Sequence, residues 1–116
     1  MAYVDGFLLP VKTAKRESYR RIAEDAAKIF REHGALAVVE AWGDDVPPGE
    51  VTSFPMAVKL EPDETVVFSW IVWPSKAARD AGNAKAMEDP RMDPGGEMPF
   101  DMKRMIFGGF EAIVEA

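Results

Sequence analysis

The segment V-V-F-S-W-I-V-W, at residues 66–73, limits the folds open to this chain more than any other stretch. It carries no charge and ends at Pro74-Ser75, a pair at which a strand can stop and a helix can begin. Successive side chains of a strand point to opposite faces, so both faces of this strand are apolar. A half-buried strand would alternate with polar residues. We therefore predict a central strand that is covered on both of its faces.

The composition is that of one globular domain and argues against several kinds of partner. The 116 residues leave room for one core, so we predict a single domain over residues 1–116. A net charge of -6 disfavours a nucleic-acid backbone, which needs clustered Lys and Arg. No apolar run approaches the roughly 20 residues that span a bilayer, and Met1–Leu9 does not have the pattern of a signal peptide. The absence of Cys excludes disulfides and thiolate chemistry and agrees with a cytoplasmic location.

Three more strands and two helices are predicted around this central strand. Runs of branched and aromatic residues predict strands at Ala2–Leu9, where Pro10 ends the pairing, Ala35–Gly43 and Lys103–Glu115. Helical spacing predicts one helix between Thr13 as N-cap and Gly34, and another over Lys76–Glu88 with Ser75 as its cap. The segment 44–63 is dense in turn-forming residues and predicts a long loop that contains a short strand at 57–60.

The order strand-helix-strand, found twice, predicts an α+β fold of ferredoxin-like βαββαβ type, with a four-stranded antiparallel sheet and two helices on one face. The other face is then bare. One register places on it Tyr3, Asp5, Phe7, Val38, Glu40, Trp42, Val67, Ser69, Ile71, Trp73, Met105, Phe107 and Glu111. So large an apolar surface predicts a homodimer in which a second copy covers it. The alternative is that the loop 44–63 of the same chain covers it.

Five blocks of sequence, taken together, resemble a known family. They are Tyr3–Phe7, Gly43–Pro47, Val51–Pro55, Asp63–Trp73 and Lys103–Glu111. In this order and over nearly the whole chain they resemble the YbaA-like family of uncharacterised bacterial proteins. The resemblance implies the dimeric α+β barrel fold and no established activity. Related folds include cofactor-independent monooxygenases, haem-degrading enzymes, lactone isomerases and ligand-sensing modules, so fold alone assigns no function.

Glu40 is the main candidate for a general base or a ligand anchor. A carboxylate between Val38 and Trp42 should have a raised pKa, which suits a proton acceptor. The alternative is a purely structural pairing with Arg104 or Lys103. Asp5 and Ser69 are the candidates to position a substrate beside Glu40.

Aromatic side chains and two loop hydroxyls are the candidate ligand contacts: Tyr3, Trp42, Thr52, Ser53, Trp73 and Phe107. Tryptophans can form a wall for a flat ligand, and a loop held by a rigid scaffold often binds. Core packing and bonds to the loop backbone are the alternative roles. Asp44 and Asp45 fit a turn better than a metal site, so we predict neither a metal nor a cofactor.

Three functions fit this sequence. The leading hypothesis is a cytoplasmic homodimer that holds a small, partly aromatic organic molecule between the sheet and the helices or at the dimer seam. The second is a cofactor-independent monooxygenase or isomerase with Glu40 as its base. The third is a structural or regulatory dimerisation module whose barrel is filled by its own side chains. The first two need a cavity with a polar group reaching into it, and the third has none.

Overall fold

The computed structural model describes residues 1–93, 95–96 and 98–116 of the chain. Its elements are strand β1 (Tyr3–Lys12), helix α1 (Arg16–Glu32), strand β2 (Ala37–Trp42), short helix α2 (Phe54–Ala57), strand β3 (Glu64–Trp73), helix α3 (Lys76–Glu88) and strand β4 (Ile106–Glu111). Short 3-10 turns cover Thr13–Lys15 and Pro90–Met92. Within the described ranges, no helix has both the length and the apolar character that crossing a membrane requires.

The four strands form one antiparallel sheet in the order β2-β3-β1-β4. Each strand-helix-strand unit skips over one strand, so α1 connects β1 to β2 across β3, and α3 connects β3 to β4 across β1. Both long helices pack on the same face. The predicted ferredoxin-like α+β fold is therefore confirmed, and the segment 66–73 forms most of one of its two central strands.

Trp73 is the residue that both helices share. Its side chain is fully buried, and its ring meets Phe30 of α1 edge-on with 6.3 Å between centroids. On the other side it lies against Gly82 of α3, where an added Cβ would come within 2.3 Å of the indole. Glycine in a helix interior costs about 1 kcal/mol relative to alanine. Here it lets α3 approach the sheet closely enough to enclose Trp73.

Pro10 and Thr13 do not have the boundary roles that the sequence predicted for them, and β2 is shorter than the predicted Ala35–Gly43. Pro10 does not end β1: it pairs with Val66 of β3 and lies beyond Leu8, the last residue of β1 that pairs with β4. A proline is tolerated where one side of a strand has no ladder partner. Thr13 does not cap α1 either, because a 3-10 turn precedes Arg16, and the Thr13 hydroxyl lies 2.7 Å from that of Thr65.

The short strand predicted at 57–60 is wrong. Ala57 is instead the last residue of helix α2, and residues 58–60 form a turn in which Lys59 has a positive φ of 49°. Ser53 is the N-cap of α2, and its hydroxyl accepts a hydrogen bond from the Met56 amide at 3.1 Å. Ser followed by a proline in the first turn is a helix-start signal. The last strand is also shorter than predicted, since β4 covers only Ile106–Glu111.

The alternation of side chains along each strand correctly predicted which residues share a face of the sheet. However, the set that contains Glu40 and Phe107 was predicted on the face away from the helices, and this is wrong. Tyr19 of α1 bonds to Glu40, Trp73 packs under both helices, and Phe107 stacks on Phe7, which contacts the core. This group therefore faces the helices. The prediction assumed that polar strand residues avoid the covered face, whereas the helices supply their hydrogen-bond partners.

The face away from the helices, called the bare face below, carries Val4, Leu8, Val39, Ala41, Phe68, Trp70, Val72, Ile106 and Phe110. Phe110 is 62% exposed and Phe68 is 44% exposed. The loop 44–63 gives some cover on the β2 side of this face, where Phe54 packs edge-on against Phe68 at 5.9 Å. The bare face is thus apolar as predicted, although different residues form it.

Candidate functional site

A cavity of about 220 Å³ lies between helix α1 and the sheet. Its walls are mostly apolar and are formed by Phe7, Leu9, Ile22, Ala23, Ala26, Ala27, Phe30, Val38, Ile71, Met92, Met98, Phe100 and Met105. The small side chains on α1 are the local reason for the space, because Ala23, Ala26 and Ala27 occupy sheet-facing positions where larger residues would fill the gap. Three polar residues also line the cavity: Tyr19, Glu40 and Ser69.

Tyr19 and Glu40 form a hydrogen-bonded pair at the cavity wall. The hydroxyl of Tyr19 donates to Oε1 of Glu40 at 2.5 Å, and Phe100 packs edge-on against the Tyr19 ring at 5.7 Å. Helix α1 places Tyr19 over β2, so the contact joins helix to sheet. The alternative of a structural pairing of Glu40 with Arg104 is wrong, because Arg104 binds both carboxylate oxygens of Glu64.

The surroundings shift the proton affinity of both groups. Glu40 is exposed to solvent on its outer side. Partial desolvation by the surrounding protein nevertheless raises the pKa of its carboxyl, and the hydrogen bond from Tyr19 opposes part of that rise. Burial, followed by the charge of Glu40, raises the pKa of Tyr19 far above its usual value, so Tyr19 remains a donor. The raised pKa predicted for Glu40 agrees with this direction.

Ser69 lies directly opposite Glu40 in the register between β2 and β3. It is buried, with 4% of its surface exposed, and it borders the cavity. Its hydroxyl makes no side-chain hydrogen bond to any residue that the structure describes. Two of the three predicted catalytic candidates are therefore neighbours, and the hydroxyl of Ser69 is available to a ligand.

Asp5, the third candidate, lies outside this cavity. Its carboxylate accepts hydrogen bonds from Nε1 of Trp73 at 3.0 Å, from Nε of Arg79 at 3.0 Å and from Nδ2 of Asn83 at 3.3 Å. Only 4% of Asp5 is exposed, and these contacts satisfy it where it is buried. Asp5 thus ties α3 to the two central strands.

The six predicted ligand contacts do not line the cavity. The guanidinium of Arg79 lies over the Tyr3 ring at 5.1 Å and that of Arg16 over the Trp42 ring at 5.3 Å. Trp73 is enclosed by the helices, and Phe107 is 72% exposed beside Phe7. In the loop 44–63, Thr52 is exposed and Ser53 caps α2.

Sequence reasoning missed the aromatic residues that do line the cavity, above all Tyr19 and Phe100. Tyr19 lies within the first predicted helix, between Thr13 and Gly34, and its hydroxyl was the only signal of a polar role. Phe100 and Met98 lie between the predicted helix Lys76–Glu88 and the predicted strand Lys103–Glu115, outside every predicted element. Their place in the cavity wall depends on the tertiary fold, in which this segment packs against α1, and so it could not be predicted from local sequence.

Asp44 and Asp45 follow β2 as exposed neighbours. Across residues 1–93, 95–96 and 98–116, no three His, Cys, Asp or Glu side chains are grouped so that they could hold a metal ion. The two aspartates therefore lack further ligands in the part of the chain that the structure describes.

Two solved structures of other proteins share this architecture. A dimeric ferredoxin-like protein from an uncultured marine organism matches with a TM-score of 0.61 at 10% identity, over 100% of both chains. A point mutant of SnoaB, a cofactor-independent oxygenase from Streptomyces nogalater, matches with a TM-score of 0.58 at 14% identity, over 98% of this chain and 95% of that one. At such identities the likeness is one of fold alone.

The sequence comparisons are much closer. The chain is 59% identical over 116 residues to the uncharacterized protein YbaA of Escherichia coli K12, covering 99% of both sequences, and equally so to YbaA of Shigella flexneri. The family described as "Protein of unknown function (DUF1428)" matches residues 2–102. The chain therefore belongs to the DUF1428 family, as its resemblance to YbaA-like proteins indicated.

Proposed function

We propose that this protein is a cytoplasmic homodimer, with residues 1–116 as one domain, that binds a small organic molecule between α1 and the sheet. The observation that carries the proposal is the cavity of about 220 Å³ into which the Tyr19–Glu40 pair and the Ser69 hydroxyl reach. An engineered cavity of about 150 Å³ in another protein takes up benzene. The space here suits a single substituted ring or a small fused pair.

The cavity has mostly apolar walls and a few polar groups at one end. This pattern favours ligand binding over a dimerisation module whose barrel is filled by its own side chains. Ligand sites are mostly apolar with a few convergent polar groups, and three polar residues among apolar walls follow that pattern. A barrel filled by its own side chains would leave no such space beside these polar groups. The filled dimerisation module is therefore the weaker candidate.

The bare face supports the homodimer. Phe68, Ile106 and Phe110 are each at least 44% exposed on it, and a twofold partner that presents the same face would cover them all. The marine protein of the same fold is described as dimeric, and its overall shape matches this chain. The lack of Cys is in keeping with the cytoplasmic location.

The cavity can be tested by filling it. Ala26→Phe places a ring in the cavity from α1, whereas Ala81→Phe makes the same change at an exposed position of α3. Native mass spectrometry of gently purified protein, followed by thermal-shift screening of one- and two-ring compounds, should show binding by the parent and Ala81→Phe. Ala26→Phe should be folded by circular dichroism and bind none of the hits. Equal binding by both variants would exclude this cavity as the site.

A cofactor-independent oxygenase or isomerase is the second candidate, and one observation favours it. Glu40 borders both the cavity and a groove on the solvent side that is lined by Arg16, Arg20 and Glu24. A carboxylate in this position can accept a proton from a bound substrate and release it to water. SnoaB, which has the same fold, is described as a cofactor-independent oxygenase.

Glu40→Gln separates the second candidate from simple binding. If Glu40 is the base, the variant should bind hits of the screen but lose turnover, measured as oxygen consumption or as a change in the ligand's absorbance. Unchanged turnover in the variant would remove Glu40 from the reaction.

A further inference from the structure

We infer that the cavity selects a neutral ring compound that carries a hydroxyl group, of the phenol or enol class, and rejects carboxylates. This inference rests on the proposed function and narrows its ligand class. It follows from the hydrogen-bonding capacity, the charge and the walls of the cavity, taken in turn.

The polar end of the cavity offers more acceptors than donors. Tyr19 uses its only hydrogen on Oε1 of Glu40, which leaves the lone pairs of its oxygen. Oε2 of Glu40 receives no hydrogen bond from the described residues, and an ionised carboxylate only accepts. Ser69 both donates and accepts. A ligand therefore satisfies this end best if it brings a donor hydrogen, and a hydroxyl brings one.

The charge at this end is negative, and Arg16 and Arg20 lie near Glu40 only in the groove on the solvent side, outside the cavity. No Lys, Arg or His side chain is among the described residues that line the cavity. A carboxylate ligand would stand beside Glu40 without a counter-ion, and like charges repel more strongly as water is excluded. A hydroxyl avoids this repulsion and can pair with Glu40 whether the carboxyl is ionised or protonated.

A ligand cation is the other group that a carboxylate attracts. It would have to leave water and form a buried ion pair, which costs the desolvation of two charges. The neutral hydroxyl leaves only one charge to desolvate, in a cavity whose remaining walls are apolar. A hydroxyl is therefore the better fit.

The walls favour a flat ring. Phe7, Phe30 and Phe100 contribute aromatic surface, and Met92, Met98 and Met105 contribute flexible thioethers that adapt to a ring. The volume of about 220 Å³ limits the ligand to a single substituted ring or a small fused pair.

Four para-substituted ethylbenzenes test the inference at pH 7 by isothermal titration calorimetry: 4-ethylphenol, 4-ethyltoluene, 4-ethylbenzoate and 4-ethylbenzylamine. The first two differ only by a hydroxyl in place of a methyl group. We expect 4-ethylphenol to bind about tenfold or more tightly than 4-ethyltoluene, as a hydrogen bond to a charged group would provide. 4-Ethylbenzoate should not bind measurably.

Glu40→Gln should change this selectivity in a defined direction. The amide is neutral and adds a donor, so 4-ethylbenzoate should gain measurable binding while the preference for 4-ethylphenol falls. Asp25→Asn removes an acid from an exposed position of α1 that forms no ion pair with other described residues. This control should keep the selectivity of the parent.

The outcomes separate the two proposals. Equal binding of 4-ethylphenol and 4-ethyltoluene, or tighter binding of the benzoate or the benzylamine, would overturn the hydroxyl inference and leave the cavity as a binding site. Probe binding that persists in Ala26→Phe would overturn the cavity itself. If none of the probes binds, the inferred ligand class is wrong, and the broader screen decides the proposed function.

Discussion

The hydroxyl of Tyr19 and the carboxylate of Glu40, 2.5 Å apart, join helix α1 to strand β2 at the wall of the cavity. The contact does two things at once. It fixes the position of α1 over the sheet, and it holds a carboxylate with a raised pKa against an otherwise apolar space. Stability and the proposed binding site therefore depend on the same pair, which makes this pair the first target for mutation.

Tyr19→Phe removes this hydrogen bond with little change in volume. The free energy of unfolding should fall by about 1 to 2 kcal/mol in urea titrations, at the lower end because Glu40 keeps access to solvent. The pKa of Glu40 should rise further, since the bond from Tyr19 lowers it, and a carbon-13 NMR titration measures this. Tyr3→Phe is the control, because the Tyr3 hydroxyl has no hydrogen-bond partner in the described part of the chain. An unchanged Glu40 titration in Tyr19→Phe would contradict the pair.

Glu64 should stabilise the fold in a pH-dependent way. Its side chain is 2% exposed, and Arg104 binds both of its oxygens, at 2.7 and 2.6 Å. The hydrogen bond from Arg104 holds the pKa of Glu64 below its ordinary 4.5. The stabilisation is thus full above about pH 4.5 and is lost as the pH falls through the lower folded pKa.

Glu64→Gln should therefore lower the free energy of unfolding at pH 7 by about 2 kcal/mol and make its fall below pH 4.5 less steep. Urea titrations at a series of pH values measure both effects. Glu61→Gln, at an exposed acid nearby, should do neither. If the free energy of unfolding of Glu64→Gln falls below pH 4.5 as steeply as that of the parent, groups other than Glu64 cause the loss of stability in acid.

Gly82→Ala should destabilise the protein although alanine is the better helix former. The new Cβ would lie 2.3 Å from the Trp73 ring and 2.7 Å from the His33 carbonyl oxygen, so the helix or the indole must move. We expect a net loss of about 1 to 3 kcal/mol in thermal or urea unfolding. Ala81→Gly, the reverse change at the exposed neighbouring position, should cost only the helix propensity of about 1 kcal/mol. Stabilisation by Gly82→Ala would mean that α3 is not held against Trp73.

Phe110→Asp should split the proposed homodimer. Phe110 is 62% exposed on the bare face, and a charge there would be buried without a partner in a sheet-to-sheet interface. Phe107→Asp is the matched control, because Phe107 is on the same strand but on the helix-facing side, where it stacks on Phe7. Sedimentation velocity should show a dimer for the parent and Phe107→Asp, and a monomer for Phe110→Asp. A monomeric parent would exclude the homodimer.

Much of the fold follows from local signals that tertiary contacts did not override. Ser75 caps α3 as predicted and accepts a hydrogen bond from the Ala78 amide at 3.1 Å. Gly34 has the positive φ of 109° expected for the residue that ends the first helix. The segment 66–73, apolar on both faces, lies in β3 between two other strands. These features depend on residues close in sequence.

The side of the sheet on which the helices lie could not be predicted in the same way. Alternation determines which residues share a face, but both faces of this sheet are apolar, so hydrophobicity gave no choice. The prediction then relied on Asp5 and Glu40 and assigned their face to the side without helices. Arg79 and Tyr19, which satisfy them, come from the two helices, and their approach depends on the whole fold.

The candidate site was predicted in part for a similar reason. Glu40 and Ser69 belong to adjacent strands, and their cross-strand pairing follows once the register is known. Tyr19 and Phe100 reach the same space from the helix and from the segment before β4. No spacing in the sequence brings those positions together.

The strand β3 has a further consequence through its tryptophans. Trp70 lies on the bare face, while Trp73, three residues later, is buried beneath α1 and α3. The two indoles therefore sample different environments although they are close in sequence. In variants that keep one or the other, Trp70 emission becomes a reporter of whatever docks on the open sheet, and Trp73 emission a reporter of helix detachment.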